Sequence, residues 1–288
     1  MQLEESINVW AQLEDNLNDK ISIGTVKPLN KESIAMRAIL LILLALTVYY
    51  LFTMDYQGVN VLKGFADTYS NFKTMFLHPN SHRFTLGDAF YNVLVTLGLA
   101  FLTTLIGGFV ALFLGLLAAQ NLAPRKVTNI IKGFVAFIRA VPTILWVLIF
   151  AVAAGLGSAA AIIGMSFHSI SYLTKAYSES FEDLDRSVIE ALMASGANWW
   201  QIVFQAVIPS SVTYLLSWTF LRFEINFANA VAMGAAAGAG GIGFDLFMAG
   251  GFYFDLREVG LITYFIIAMA IVLEMVSTNI KGMLQKSS

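Results

Sequence analysis

Ionisable side chains within apolar sequence are costly in a bilayer, so each one is a candidate for function. Arg222-Phe-Glu224-Ile-Asn226 lies near the middle of a long apolar stretch. On a helix, Arg222 and Asn226 are four residues apart and share a face, whereas Glu224 points elsewhere. Such a cluster either lines a polar path that takes an anion or locks neighbouring spans together, and the spacing leaves both open. Arg139-Ala-Val141-Pro142 is a second candidate. Proline frees a backbone carbonyl and kinks a helix, and broken helices at membrane depth usually line a cavity. Arg139 then faces either that path or the cytoplasmic headgroups. Glu274 and Asp88 are weaker candidates of the same kind.

Catalytic and metal chemistry find little support. The chain has no cysteine, which excludes disulfides, thiolate catalysis and cysteine metal sites. His78, His82 and His168 do not have a zinc spacing, and the Pro79-Asn80-Ser81 between the first two argues for a solvated turn, so no metal site is expected. Gly238-Ala-Gly240-Gly241-Ile-Gly243 matches G-x-G-x-x-G, but a dinucleotide site needs a preceding strand and a βαβ unit. With Gly234 it forms instead the small-residue pattern that lets membrane helices approach closely. No G-x-x-x-x-G-K-[ST] occurs, so any ATP that drives this protein is hydrolysed on another polypeptide.

The elements that must hold these residues are membrane spans. The 288 residues are 58% hydrophobic and 12% charged, with a mean hydropathy of +0.72. A soluble domain is about 25% charged, so this is an integral, all-α membrane protein in contact with a lipid bilayer. A spanning helix needs about 20 mostly apolar residues. Six stretches qualify: 34–54, 90–119, 127–154 with Pro142 inside it, 158–178, 210–232 and 259–283. The second is longer than a bilayer needs and should tilt or project. Net charge is −2 with no basic tail, which gives no reason to expect nucleic acid.

Lysine and arginine set the orientation. Lys20, Lys27, Lys31 and Arg37 precede or open the first span, Arg125, Lys126 and Lys132 follow the second, and Lys281 and Lys286 follow the sixth. Both termini are therefore expected in the cytoplasm. Residues 1–33 form a cytoplasmic N-terminal segment, acidic where a signal peptide is basic, with Leu3, Ile7, Trp10, Leu13 and Leu17 at the spacing of an amphipathic helix. Residues 34–284 form the transmembrane domain. The connection from Asp55 to Asp88 is long for a structureless loop and mixes Tyr56, Phe65, Tyr69, Phe72 and Phe76 with polar residues. It is expected to hold a short interfacial helix that either meets an external partner or packs as a lid.

Between spans four and five, on the cytoplasmic side, lies the stretch 190–209. Glu190 to Ser195 are good helix formers, and Gly196 removes the β-carbon where that helix ends. Asn198 and Gln201 have the spacing of a capping box for a second helix. Pro209 is expected to stop it and to open the next. A helix–glycine–helix elbow of this kind suits being gripped from outside the bilayer.

The elbow resembles the coupling motif of ABC importer permeases: E-A-A, three residues, G, nine residues, I-x-L-P. Here it runs Glu190-Ala191-Leu192, then Gly196, then Ala206-Val207-Ile208-Pro209. The finer resemblance is to the phosphonate ABC transporter permease family, whose R-x-x-P, R-F-E-x-N and G-A-G-G-I-G correspond to Arg139–Pro142, Arg222–Asn226 and Gly238–Gly243. The resemblance implies a six-helix, type I ABC importer transmembrane domain in the bacterial cytoplasmic (inner) membrane. It implies a coupling role for Glu190, Ala191, Ala194, Gly196 and Pro209, with Ala191 and Ala194 small enough to let the elbow sit close to its partner. It also implies a path past Arg139, Pro142, Arg222, Glu224 and Asn226, and helix packing through Gly234, Gly238, Gly240, Gly241 and Gly243. The implied partners are an ABC ATPase dimer carrying ATP and magnesium, an extracytoplasmic solute-binding protein, and a second permease copy as a homodimer; no cofactor is bound by this chain. Where the family has an arginine two residues after the asparagine, this chain has Ala228, so phosphate, phosphite or another small solute stands beside phosphonate as cargo. A secondary transporter or channel using Arg222 and Glu224 as an ion relay is the alternative.

Overall fold

A computed structural model of the chain describes residues 31–54, 58 and 60–287. The amphipathic pattern in residues 3–17 lies outside the described residues. The chain divides into two units, Met1–Gly64 and Phe65–Ser288. The first contains α1 (Lys31–Thr53), a 23-residue helix long and apolar enough to cross a membrane. Helix α2 (Val61–Leu77) begins in the first unit and runs into the second.

The second unit is built around α3 (Leu86–Ala118) and α6 (Ser158–Glu182). Helix α3 starts at a capping box: the Thr85 hydroxyl accepts from the Asp88 amide at 3.2 Å, and the Asp88 carboxylate accepts from the Thr85 amide at 2.9 Å. Its 33 residues span about 50 Å at 1.5 Å per residue, more than a hydrocarbon core of about 30 Å, so part of it tilts or projects. Its buried stripe is mostly small, with Ala89, Thr96, Ala100, Thr104, Gly107, Ala111 and Gly115 beside Val93, Leu99 and Leu116. Its large residues Phe101, Leu105, Phe109 and Phe113 are exposed. Small inside and large outside is the arrangement that lets helices meet without a hydrophobic driving force. A β-carbon on Gly107 would lie 2.7 Å from Ser169 Cβ, and one on Gly115 would lie 3.0 Å from Tyr177 Cβ, so α3 and α6 cross nearly backbone to backbone.

Helix α6 is central, packed against α3, α9 and the two halves of the third expected span. It forms where the fourth span was expected, but it is not among the helices apolar enough to qualify as a span by composition. Its buried face carries Ser166, Ser169, Ser171, Thr174, Ser178 and Ser180. Such a helix is shielded from lipid by its neighbours, and the hydroxyls of Ser169, Ser171, Ser178 and Ser180 bond within the bundle.

The third span departs from a single kinked helix over 127–154. It breaks into α4 (Arg125–Ala140) and α5 (Thr143–Ala154), which meet at 88°. The residue before a proline is driven out of the helical region, and Val141 adopts φ −95°, ψ 123°, followed by Pro142 at φ −56°, ψ 144°. Two successive extended residues make a corner where one proline would make a kink. The Trp146 indole reaches back across it and donates to the freed Ile138 carbonyl at 3.1 Å. The twelve residues of α5 rise about 18 Å and are too short to cross a bilayer alone.

After α7 (Arg186–Ala194) and α8 (Trp199–Ile202), the chain runs through a wide turn at Val203–Val207 into α9 (Ile208–Ala237). Pro209 therefore does not stop the helix as expected. A proline ring clashes with the carbonyl four residues back, and the turn before it opens to π geometry, with the Ile208 amide bonded to the Val203 carbonyl. Helix continuity runs from Trp199 to Ala237. Helix α10 (Gly241–Phe247), widened at Met248–Phe252, and α11 (Leu256–Ser287) complete the unit.

The 55–88 connection does hold a helix, α2, whose last turn docks on α11: Tyr264 Oη donates to the Phe76 carbonyl at 2.7 Å. Below it the buried Glu258 carboxylate accepts from the amides of His82 and Arg83 at 3.0 Å and from Arg83 Nη1 at 2.8 Å. That hydrogen bond is the main reason the Arg83 guanidinium is raised above its usual value.

Candidate functional site

The Arg222–Asn226 pair is buried at the meeting of α3, α6 and α9. Asn226 Nδ2 donates to Thr104 Oγ1 at 2.8 Å and to Ser169 Oγ at 2.9 Å. Arg222 Nε donates to the same Ser169 oxygen at 3.1 Å, and Nη2 lies 3.1 Å from His168 Nδ1. The guanidinium carbon stands 5.1 Å over the Tyr172 ring. Arg222 and Asn226 therefore share a face, and Glu224, half-buried, sits on another. This network joins three helices. Arg222 has no carboxylate partner among the described residues.

Arg139 is in the last turn of α4, three residues before the corner at Pro142, and it is exposed. It lines a cavity of about 280 Å³ between α4 and α6, together with Lys132, Thr174, Lys175, Glu179 and Glu182. A smaller cavity of about 110 Å³ shares Arg139 and Lys175 and is walled by Tyr172 and Trp218. Tyr172 thus stands between that cavity and Arg222. Glu182 closes the far end, accepting from Lys132 Nζ at 2.9 Å and from the Gln120 amide at 2.8 Å.

The elbow has the geometry its residues imply. Asp185 caps α7 by accepting from the Ser187 amide at 2.9 Å. Gly196 has φ +88°, a conformation that L side chains rarely adopt. The Asn198–Gln201 capping box is complete, with bonds of 3.0 and 2.7 Å. Within α7 Ile189 is the buried residue, and Glu190, Ala191, Met193 and Ala194 are exposed. Ile189 joins Ile202, Val203 and Val207 in a core shared with Ala111, Leu116, Leu173, Tyr177 and Phe181. Trp199 Nε1 adds a bond to the Leu122 carbonyl at 2.9 Å. The elbow is rooted in α3, α6 and α9 on one side and open on the other.

The expected helix packing holds at Gly234, Gly241 and Gly243, whereas at Gly238 and Gly240 a β-carbon would meet nothing within 4 Å and what marks them is a positive φ, +60° and +83°. Gly238 ends α9 in the left-handed conformation. A β-carbon on Gly243 would run into the Val231 carbonyl, and one on Gly234 would lie 2.8 Å from the Gly240 carbonyl oxygen. The Ile242 amide donates to Thr96 Oγ1 at 3.0 Å, and Asn92 Nδ2 donates to Asp245 at 2.6 Å, tying α10 to α3. Asp88 caps α3, and Glu274 is exposed on α11.

Sequence reasoning missed His168, Ser169, Thr104, Tyr172, Thr174 and Lys175. The available signal was the recurrence of hydroxyl residues along 166–180 at helical spacing, which marks a polar stripe in a spanning segment.

Residues 111–287 match the family model described as binding-protein-dependent transport system inner membrane component. The chain belongs to this family. Among curated relatives, the phosphite transport system permease protein PtxC of Stutzerimonas stutzeri is 31% identical over 192 residues, which is 66% of this chain and 68% of that protein. The phosphate-import permease protein PhnE of Mycolicibacterium smegmatis is 30% identical over 186 residues, 64% of this chain but only 35% of that longer protein. A solved structure of the MetNI methionine ABC transporter in an inward-facing conformation has the same fold, with a TM-score of 0.61, 20% identity, and coverage of 67% of this chain and 94% of that one. The expected resemblance to phosphonate-type ABC permeases holds, and so does the all-α importer fold. As a binding-protein-dependent inner membrane component, the chain is a multi-pass transport subunit and not an enzyme, which sets aside the secondary-transporter alternative.

Proposed function

We propose that this chain is the membrane-spanning subunit of an ATP-driven importer for a small phosphorus oxyanion: a phosphonate, phosphate or phosphite. The observation that carries the proposal is the elbow. Helix α7 is anchored by Ile189 and turns at Gly196, and its exposed side sets Ala191, Met193 and Ala194 beside the Arg186–Glu190 pair. A short helix held from one side and bare on the other fits a groove on a partner, here an ATPase dimer that carries ATP and magnesium. Glu190 is engaged by Arg186 at 3.0 Å, which keeps its charge on the exposed side of α7. Pro209 forces the wide turn that joins the elbow to α9, so a push on α7 reaches the helix that carries Arg222 and Asn226.

The relatives' names support the cargo, being permeases for phosphite and for phosphate. In this reading the cargo passes the corner at Pro142 and the Arg139 cleft. Arg222 and Asn226 hold the wall behind Tyr172, and Glu224 faces away from them. A second copy of the chain completes the path, a solute-binding protein delivers the cargo from outside, and both termini lie in the cytoplasm. Gly234 and Gly243 keep α9 and α10 in contact as the bundle moves, and Gly241 keeps α10 against α3.

Gly196→Asp tests the coupling role. A side chain at φ +88° is strained, and the elbow should re-orient while the spans stay inserted. Co-expressed with its ATPase and binding protein, the variant should lose ATP-driven uptake and keep normal membrane levels. Unimpaired uptake would sink the coupling assignment.

A further inference from the structure

We infer that the cleft between α4 and α6 is a binding site for the oxyanion itself, held by Arg139, Lys175 and the Thr174 hydroxyl; this rests on the importer reading and assigns the path a specific station. Three cations, Lys132, Arg139 and Lys175, line the cleft against two carboxylates, Glu179 and Glu182. The carboxylates are engaged, Glu182 by Lys132 at 2.9 Å and Glu179 by Lys175 at 3.5 Å. The excess positive charge therefore falls on Arg139, which makes no ion pair among the described residues. A free guanidinium is the group best matched to two oxygens of a tetrahedral anion.

The second observation is independent of charge. Thr174 lines the same cleft, is only 1% exposed, and its Oγ1 has no hydrogen-bond partner. Of the buried hydroxyls on α6, Ser178 is met by the Lys175 carbonyl and Ser180 by the Ala176 carbonyl, both at 2.9 Å, whereas Ser166 and Thr174 are unmet, and of those two Thr174 lines the cleft. An unmet buried hydroxyl is unfavourable, and a turn of the Thr174 side chain toward the cleft would let an oxyanion accept from it. The 280 Å³ of the cleft leaves room for such an anion together with waters of about 30 Å³ each. The Lys175–Glu179 pair is long and more than half exposed, so Lys175 can turn to the anion at little cost. The adjoining cavity leads from Arg139 and Lys175 to Tyr172, whose ring lies against the Arg222 guanidinium.

The test is equilibrium binding of radiolabelled inorganic phosphate to the full chain in phosphatidylcholine nanodiscs, with methylphosphonate as competitor and ATP-driven uptake by the assembled transporter measured in parallel. Wild type should bind saturably. Arg139→Ala should weaken binding about tenfold or more, as expected for loss of a charge-assisted pair, and Thr174→Val about threefold. Thr174→Val keeps the side-chain shape and removes an unmet hydroxyl, so it should fold normally. Lys126→Ala, on the same helix but outside the cleft, should bind as wild type does. Absence of saturable binding, or binding unchanged in both Arg139→Ala and Thr174→Val, overturns the site. Uptake without saturable binding removes the site and leaves the importer reading. Binding that depends on Arg139 without ATP-driven uptake supports the site and removes that reading.

Discussion

Asn226→Leu is the perturbation that most directly separates a lock from a path. The amide of Asn226 is fully buried and spends its hydrogen bonds across two helix interfaces: Nδ2 donates to Thr104 on α3 and to Ser169 on α6, and Oδ1 accepts from Ser169 at 3.1 Å. Leucine has similar volume, so the change removes the bonds without opening a large cavity. Interhelical polar contacts in membrane proteins average about 0.6 kcal/mol and reach about 1.7, so two partners contribute about 1–3 kcal/mol. Thr104 keeps its bond to the Ala100 carbonyl at 2.7 Å and Ser169 keeps Arg222, which holds the cost below that of orphaning either. Reversible unfolding in mixed detergent micelles should show a loss in that range, about five-fold to a hundred-fold in the folding equilibrium. A double-mutant cycle with Thr104→Val should give a coupling energy of about 0.5–1.5 kcal/mol. Wild-type stability in Asn226→Leu, with no coupling to Thr104, would refute the lock.

Four further outcomes follow from the same structure. Gly243→Ala drives a β-carbon into the Val231 backbone carbonyl, which cannot turn aside, and should destabilise the bundle by about 2 kcal/mol or more in the same assay. Gly98→Ala, in mid-helix with nothing within 4 Å, should instead stabilise by about 0.5–1 kcal/mol. Asp185 caps α7, and the hydrogen bond from the Ser187 amide holds its carboxyl below the usual 3.8. Its contribution is full above that usual value and is lost as pH falls through the lowered folded-state value. Hydrogen exchange at the Ser187 amide, with Asp185→Asn as the pH-independent reference, measures this, and identical profiles in the two proteins would count against the cap. Arg83→Met leaves the buried Glu258 carboxylate with amide partners alone, so residues 78–85 should become more susceptible to proteolysis, with a wild-type cleavage rate as the contrary result.

The parts of this protein that were legible in its sequence are those where a single residue dictates the local backbone. Gly196, the Asn198–Gln201 pair and the Gly234–Gly243 run each impose a conformation or an approach within a few residues, and each reappears in the structure. Proline was legible in kind and misread in consequence. Pro142 and Pro209 carry the same chemistry, yet the first breaks its helix by 88° and the second is absorbed in a wide turn. The difference lies in what surrounds them. Val141 is extended, and its own amide and the Trp146 indole both donate to the Ile138 carbonyl, whereas Val203 and Val207 share a core with Leu173 and Phe181, which holds the chain helical. The polar residues were the least legible, because their role depends on partners from other helices. Arg222 is recognisable alone as an expensive residue, but only Ser169 and His168, more than fifty positions away, show the network it joins. The same dependence explains why Thr174 escaped notice: a threonine in a helix ordinarily bonds the carbonyl one turn back, as Thr104 does, and only the fold reveals one that has been left unmet at the edge of a positively charged cleft.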